Sequence, residues 1–86
     1  MEIDFTKEAT KHLDYFKKTN DPIILKKIRQ LLEAISENPY SGIGKPEALK
    51  YNYTGFWSRR INSEHRLVYR ILEEKIIEVH SLKGHY

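Results

Sequence analysis

Residues 55–69, GFWSRRINSEHRLVY, predict two β-strands joined by a polar turn, and they carry three arginines. Arginine is a weaker strand former than the Val, Ile, Tyr and Trp residues around it. Each guanidinium is a fixed cation whose planar fork suits carboxylate or phosphate. The hairpin therefore indicates a sheet surface that meets something anionic.

Side chains alternate between the two faces of a strand, so this hairpin divides into a core face and an outer face. We expect the core face to hold the large apolar side chains Trp57, Ile61, Leu67, Tyr69 and Ile71. The outer face then holds Ser58, Arg60, Arg66, Val68 and Arg70. Alternation places Arg59 on the face opposite Arg60. The alternative to a cationic binding surface is that these arginines are solvated and paired with carboxylates such as Glu64 and Glu78.

Length and composition are those of a small globular protein. With 86 residues, 40% of them hydrophobic and 31% charged, we expect one domain spanning residues 1–86 around one modest core. Residues 1–39 hold seven basic and seven acidic side chains, whereas residues 40–86 hold eight basic and five acidic ones. The net charge of +3 therefore comes from the second part of the chain, as a polyanionic partner would favour.

Several classes of protein and of site are excluded by the sequence. Cysteine is absent, so there are no disulfides or thiolate sites. The first residues, MEIDFTKEA, do not form a secretory leader, and no apolar run approaches membrane-spanning length, so we expect a cytoplasmic protein without a membrane partner. The four histidines lack zinc-site spacing, and Ser58 and Ser63 lack a glycine-flanked nucleophile elbow, so no metal or serine hydrolase site is predicted. His65 is expected to be structural or surface-exposed.

Two amphipathic helices follow a short strand candidate at residues 2–5. Thr6 is a helix-capping residue, and Asp21 followed by Pro22 is a strong start signal for a second helix that ends at Asn38. The predicted buried stripes are Ala9, His12, Leu13 and Phe16 in the first helix and Ile24, Ile28, Leu31, Leu32 and Ile35 in the second. We expect the His12 imidazole to pack at the edge of the core.

Four further strands are predicted, with turn residues between them. The candidates span residues 49–54, 56–62, 65–72 and 75–82. Two helices followed by a run of strands is an α+β pattern, in which the N-terminal helices pack on one face of a mainly antiparallel twisted sheet. The predicted order is strand-helix-helix-strand-strand-strand-strand, and the other face of the sheet is left free for a ligand.

The loop at residues 41–46, SGIGKP, contains a GK pair that invites comparison with a phosphate-binding P-loop. That motif needs four residues between its glycines, a Ser or Thr after the lysine, and a helix that follows. Here Pro46 follows Lys45, so binding of a nucleoside triphosphate is rejected. We interpret the loop as a connection that brings Glu47 to the edge of the sheet.

A carboxylate, arginines and an imidazole together suit RNA cleavage that needs neither a metal nor a cofactor. The 2′-hydroxyl must lose a proton, the phosphorane must have its added negative charge stabilised, and the 5′-oxygen must gain a proton. Glu47, the outer-face arginines and His85 suit these three roles in that order. Because the attacking group is the 2′-hydroxyl, such a site spares DNA.

Four sequence motifs together resemble one family of bacterial toxins. They are GKPEALK at 44–50, GFWSRRI at 55–61, EHRLVY at 64–69 and the final HY. The combination resembles the YoeB toxins of the RelE-like superfamily, which belong to toxin–antitoxin pairs. The resemblance implies a ribonuclease-like α+β fold and cleavage of mRNA in the A site of the 70S ribosome, which inhibits translation. It also implies a YefM-like antitoxin as partner, and a homodimer.

The resemblance also implies roles for individual residues. Glu47 matches the proposed general base, Arg66 the transition-state arginine, and His85 the proposed general acid. The implied substrate-binding residues are Lys50, Arg60 and Tyr86, of which Tyr86 shapes the site. Cations around Glu47 favour its ionised form, so this carboxylate either removes the proton or orients the hydroxyl.

Two other functions are compatible with parts of this pattern. A toxin of the same fold that acts on another target, such as DNA gyrase, does not require Glu47, Arg66 and His85 together. A binding module without chemistry, which contacts RNA or an antitoxin, needs only the cationic surface. Replacement of Arg66 or His85 separates these functions, because only a nuclease loses RNA cleavage while it still folds and binds.

Overall fold

The computed structural model describes residues 1–84, in which two helices lie against a five-stranded sheet. The elements in chain order are β1 (Glu2–Phe5), α1 (Lys7–Lys18), α2 (Pro22–Glu37), β2 (Glu47–Ala48), a short 3-10 helix (Tyr51–Tyr53), β3 (Trp57–Arg60), β4 (Arg66–Leu72) and β5 (Ile76–Ser81). This order confirms the predicted α+β fold. His85 and Tyr86 lie outside the described residues.

The five strands are arranged in the order β1-β5-β4-β3-β2. Neighbouring strands are antiparallel except for β1, which runs parallel to β5 with Glu2 opposite Ile76. The sheet is therefore mainly antiparallel, as predicted. Strand β2 forms one edge, so the loop after α2 delivers Glu47 to the margin of the sheet.

Both helices begin where their capping residues predict. The Thr6 hydroxyl oxygen accepts a hydrogen bond from the Ala9 backbone N–H at 3.1 Å, and a carboxylate oxygen of Asp21 accepts one from Ile24 N–H at 3.1 Å. These bonds satisfy backbone donors that have no partner within the helix. All five apolar residues predicted for the α2 stripe are buried, whereas in α1 only Ala9 and Phe16 are buried fully.

The core lies between the helices and one face of the sheet. Its helical side includes Phe16, Leu31 and Ile35, and its sheet side includes Leu67, Tyr69, Ile77 and Val79. Trp57 and Ile71 pack against this cluster, so the predicted core face of the hairpin is confirmed. In residues 1–84, no helix has both the length and the apolar character that crossing a membrane requires.

The strand predicted at residues 49–54 is wrong. Strand pairing with β3 stops after Ala48, and residues 51–53 form a 3-10 helix. Tyr51 adopts a left-handed backbone conformation, with φ of 57°, which interrupts an extended chain. The Tyr and Thr residues of this segment favour strands by composition, but the local turn geometry overrides that preference.

The β4–β5 turn is built from two left-handed residues. Glu73 has φ of 52° and Glu74 has φ of 58°, and the Lys75 N–H donates a hydrogen bond to the Leu72 carbonyl oxygen at 3.0 Å. Left-handed backbone at both central positions is typical of tight hairpin turns. The position of the turn was predicted, although glutamate is a costly choice there because it has a Cβ atom.

Candidate active site

One row of residues crosses the sheet on the face away from the helices. Strand register aligns Glu47 with Ser58, Ser58 with Val68, and Val68 with Ser81. The last three are small and buried, whereas Glu47 at the sheet edge is exposed. The row therefore forms the floor of the candidate site. It consists of three small buried side chains followed by an exposed carboxylate at the sheet edge.

The Arg66 side chain extends over this floor towards Glu47. Its Nε donates to the Ser58 hydroxyl at 2.8 Å, and its Nη2 donates to the Lys45 carbonyl oxygen at 3.2 Å. Nη2 also lies 3.9 Å from a Glu47 carboxylate oxygen. The Arg66 side chain is 15% exposed and that of Glu47 is 69% exposed. Two neutral acceptors thus hold a cation in place beside a solvent-facing carboxylate.

The other predicted cations lie around this pair. Arg60 is directly opposite Arg66 in the strand register and is exposed, and both line a cleft of about 200 Å³ with Asn62 and Ser63. Lys50 is exposed and lines a separate groove of about 480 Å³, which it shares with Glu47 and Tyr53. The structure therefore places Arg60 with Arg66 in one cleft and Lys50 with Glu47 in another, and the Arg66–Glu47 contact lies between the two.

Gly84 connects this region to the two residues that follow it. The Arg66 backbone N–H donates to the Gly84 carbonyl oxygen at 2.9 Å, and the Gly84 N–H donates to His65 Nδ1 at 2.9 Å. Gly84 has φ of 80°, a conformation that other residues rarely adopt. The predicted site residues His85 and Tyr86 lie outside the described residues, and Gly84 is the residue that precedes them in the sequence.

Arg70 is not part of an open cationic surface. Its Nε donates to a carboxylate oxygen of Glu78 at 2.7 Å, and its guanidinium lies 5.0 Å from the centre of the Phe56 ring. The Phe56 ring in turn lies 5.1 Å from the ring of His80. The alternative of carboxylate pairing thus holds for Arg70, and aromatic side chains cover this part of a face that the sequence predicted to be free.

Arg59 has a structural role that the sequence did not predict. It is fully buried on the helix side of the sheet. Its guanidinium donates to the Asn38, Ser41 and Ile43 carbonyl oxygens at 2.6, 2.9 and 3.2 Å, and to the Tyr69 hydroxyl at 3.3 Å. Arg59 thereby holds the loop that leads to Glu47. Strand alternation was the available signal, because two successive arginines must point to opposite faces.

The two helix-side histidines have the structural roles that the sequence predicted. His12 Nδ1 accepts a hydrogen bond from the Leu82 N–H at 3.1 Å, and the His65 ring packs edge-on against Phe16 at 5.2 Å. Burial lowers the pKa of His12 below 6.5. Among residues 1–84, no three His, Asp or Glu side chains form a group that could hold a metal ion.

Comparison with characterised sequences places this chain among bacterial toxins. Residues 5–86 match the family described as the YoeB-like toxin of bacterial type II toxin–antitoxin systems. Toxin YoeB of Synechocystis sp. is 49% identical over all 86 residues, which cover 98% of that protein. Toxin YoeB of Escherichia coli K12 is 40% identical over the full length of both chains.

Solved structures show the same similarity at the level of the backbone. A YoeB/ParE toxin from Agrobacterium tumefaciens superposes with a TM-score of 0.94 at 36% identity, with both chains fully covered. The YoeB dimer from Staphylococcus aureus gives 0.91, and a heterotetrameric YoeB–YefM complex from the same species gives 0.89. Both are 47% identical and cover 100% of this chain and 98% of theirs. The chain therefore belongs to the YoeB-like toxin family of bacterial type II toxin–antitoxin systems.

Proposed function

We propose that this toxin is a ribosome-dependent mRNA interferase that cleaves mRNA in the ribosomal A site and so inhibits translation. The main support is the Arg66–Glu47 pair, a cation held by Ser58 and Lys45 beside an exposed carboxylate at the sheet edge. A fixed cation next to an accessible base is what attack on a phosphodiester requires. The resemblance of the sequence motifs to YoeB toxins implies the ribosome as the setting.

The proposed reaction uses side chains of the toxin alone. Glu47 accepts the proton of the 2′-hydroxyl, or orients that hydroxyl while its proton passes to water, and the 2′-oxygen then bonds to the adjacent phosphorus. Arg66 stabilises the negative charge on the phosphorane oxygens. The bond from phosphorus to the 5′-oxygen breaks as His85 donates a proton to that oxygen. The products are a 2′,3′-cyclic phosphate and a 5′-hydroxyl, so protons and bonds balance.

The remaining predicted residues bind the substrate in this proposal. Arg60 lies opposite Arg66 and faces the same cleft, where it contacts the phosphate backbone of mRNA or rRNA. Lys50 contacts phosphate along the groove that contains Glu47. Tyr86 shapes the site around the reacting nucleotide. The RNA is held by charge and cut through its 2′-hydroxyl, so DNA is not a substrate.

The proposal extends to partners and location. Complexes of a Staphylococcus aureus relative with YefM support a YefM-like antitoxin that neutralises this toxin, and the dimer of that relative supports a homodimer. We place the toxin in the cytoplasm, where mRNA and the 70S ribosome are found, and treat residues 1–86 as one toxin domain.

The proposal is tested by cell-free translation with the purified toxin, mapping mRNA 5′ ends with and without ribosomes. We expect cleavage only on translating ribosomes. Arg66→Met should reduce the cleavage rate by about 100-fold or more, as should His85→Gln. Arg70→Met is the matched control, because Arg70 is on the same strand and face but pairs with Glu78. It should cleave within a few-fold of the wild type.

Two results would contradict the proposal. If mRNA stays intact while translation stops, the toxin blocks translation by binding alone. If DNA is cut or its supercoiling changes while mRNA survives, a gyrase-directed activity replaces the nuclease. Glu47→Gln refines the mechanism: loss of activity at every pH is expected of a base, whereas a residue that only orients the hydroxyl tolerates the amide better.

A further inference from the structure

Two imidazoles hold the segment that leads out of the described structure. The Leu82 N–H donates to His12 Nδ1 at 3.1 Å, and the Gly84 N–H donates to His65 Nδ1 at 2.9 Å. His12 comes from α1 and His65 from the turn before β4. Residues 82–84 thus bind through alternate backbone donors to two histidines that are 53 positions apart in the sequence.

Both imidazoles must be in the same neutral tautomer. A ring nitrogen that accepts a hydrogen bond carries a lone pair, so the proton of each ring lies on Nε2. Nε2 of His12 lies 3.9 Å from a carboxylate oxygen of Glu8, and Nε2 of His65 lies 3.7 Å from one of Glu64. Each carboxylate favours a proton on Nε2 and leaves Nδ1 free to accept. The same arrangement of carboxylate, imidazole and backbone N–H therefore occurs twice within residues 82–84, once at Leu82 and once at Gly84.

The surroundings of this segment fix its position further. The His12 and His65 side chains are only 18% and 13% exposed. The Lys83 ammonium lies 3.8 Å from the centre of the Tyr15 ring, a cation–π contact on α1. The Gly84 carbonyl oxygen accepts from the Arg66 backbone N–H. Residues 82–84 are therefore attached to α1 on one side and to the start of β4 on the other.

We propose that His12 and His65 are positioning residues that attach residues 82–84 to the body of the toxin and thereby align His85 with the reaction centre. His85 follows Gly84 in the sequence, and the Gly84 carbonyl oxygen accepts a hydrogen bond from the Arg66 backbone N–H. Attachment stands on the geometry of residues 82–84 alone. The effect on catalysis rests on the proposed function.

Attachment in this form depends on pH. An imidazolium has no acceptor, so protonation of Nδ1 abolishes each bond. The groups that face His12 are Glu8, which favours the cation, and Lys83, His65 and His80, which oppose it, while burial lowers its pKa most strongly. Attachment through His12 is therefore complete above pH 6.5 and is lost as the pH falls through the lower pKa of the attached state. At His65, the charged group that faces Nε2 is Glu64.

The direct test is amide hydrogen exchange, measured by NMR from neutral pH to below pH 6.5. The rates are corrected for the intrinsic pH dependence of exchange. We expect the Leu82 and Gly84 amides to be protected near neutral pH, and the Leu82 amide to lose protection as the pH falls below 6.5 through the lowered pKa of His12. Each bond should change the ratio of attached to detached segment by about 2- to 10-fold. The Thr6 amide, which donates to the Val79 carbonyl oxygen, is the internal control and should not follow this pH change.

Two substitutions at each histidine separate the acceptor from the ring. His65→Phe keeps a ring against Phe16 but removes the acceptor, so the Gly84 amide should be unprotected at every pH. His65→Asn keeps an acceptor as many bonds from the backbone as Nδ1, and this acceptor does not titrate, so protection should persist at low pH. The same pair at His12 should act on Leu82. Unchanged Leu82 and Gly84 protection in the Phe variants would overturn the inference.

Cleavage assays then test positioning. His65→Phe should lower kcat with little change in KM, and His65→Asn should restore kcat. If the wild type does not cleave mRNA, the proposed function fails, but amide exchange still decides whether the histidines attach the segment. If a Phe variant does not fold, shown by loss of Thr6 protection, the wild-type pH series and the Asn variants still test attachment. Loss of protection at the same pH in wild type and Asn variants would contradict attachment through Nδ1.

Discussion

The Arg59 guanidinium donates a hydrogen bond to the Tyr69 hydroxyl inside the core, and that hydroxyl donates in turn to the Pro39 carbonyl oxygen. Arg59 also binds three carbonyl groups of the loop after α2. The buried Arg59 guanidinium thus holds the loop that carries Lys45 and precedes Glu47. The face of the sheet that carries the proposed site therefore depends on a side chain on the opposite face.

Arg59→Met should destabilise the toxin by about 2–4 kcal/mol, because it leaves three partly buried carbonyl oxygens without their charged donor. The measurement is the free energy of unfolding from urea denaturation. Arg60→Met is the matched control, since Arg60 is the neighbouring residue but is exposed, and it should change stability by no more than about 0.5 kcal/mol. Equal effects of the two substitutions would show that the Arg59 hydrogen bonds contribute little.

Tyr69 should make stability depend on pH in the alkaline range. Burial raises the pKa of Tyr69 above 10.0, and the Arg59 hydrogen bond opposes that effect. Above pH 10.0 the unfolded state loses the phenolic proton while the folded state keeps it, so the unfolded state binds fewer protons and the free energy of unfolding falls as the pH rises through the folded pKa. Urea denaturation on both sides of pH 10 measures this. Tyr69→Phe should show a smaller decrease, and an identical decrease would refute the assignment.

Ser58→Ala should slow mRNA cleavage by about 10-fold, because Arg66 Nε loses the acceptor that orients it. Single-turnover cleavage on stalled ribosomes measures this rate. Ser81→Ala is the matched control: Ser81 is equally buried on the same face, and its hydroxyl has no hydrogen-bond partner within residues 1–84. Equal rates for the two variants would mean that the Ser58 hydroxyl does not position Arg66.

Gly44→Ala should destabilise the toxin by about 2–4 kcal/mol. Gly44 has φ of 84°, and a Cβ atom there would lie 2.7 Å from a Leu31 methyl carbon and 3.1 Å from Arg59 Cβ. Gly55→Ala separates the two causes, because Gly55 has φ of 96° but nothing within 4 Å of its Cβ position. Gly55→Ala should lower the free energy of unfolding by only about 1–2 kcal/mol, because it adds backbone strain alone, as measured by thermal unfolding. Equal losses of stability in the two variants would show that the steric contacts at Gly44 do not contribute.

Replacing Glu73 with Asn and Glu74 with Gly should stabilise the toxin by about 1–2 kcal/mol. Both residues have left-handed backbone conformations that Asn and Gly adopt at lower cost. The expected readout is a higher Tm with an unchanged rate of mRNA cleavage, since the turn lies at the far end of β4 from Arg66. A lower Tm would mean that the two glutamates make stabilising contacts that exceed the gain from the relief of backbone strain.

The sequence predicted those parts of the fold that periodicity and capping control. The α2 stripe from Ile24 to Ile35 follows the 3.6-residue period, and Thr6 and Asp21 bind the backbone donors that their positions predict. Alternation also divided the β3–β4 hairpin correctly into a core face and an outer face. These signals are local, so they are readable without the tertiary structure.

What the sequence did not predict depends on contacts between distant segments. No local pattern shows that Arg59 binds carbonyl groups of residues 38–43, or that Phe56 covers Arg70. The proximity of Arg66 to Glu47 follows from the pairing of β2 with β3, and this pairing begins earlier than the strand predicted at 49–54. The resemblance to YoeB toxins assigned both residues to the proposed site, but only the fold supplied the distance between them.

The pairing of β1 with β5 has a consequence for synthesis of the toxin. Within the described sheet, β5 is the one strand beside β1, and Phe5 lies opposite Val79. Residues 2–5 therefore cannot pair as a strand until residues 76–79 have left the exit tunnel of the ribosome. Gly84 reaches Arg66 later still. The five-stranded sheet is thus complete only after its last strand has left the ribosome, although the β3–β4 hairpin can pair before that.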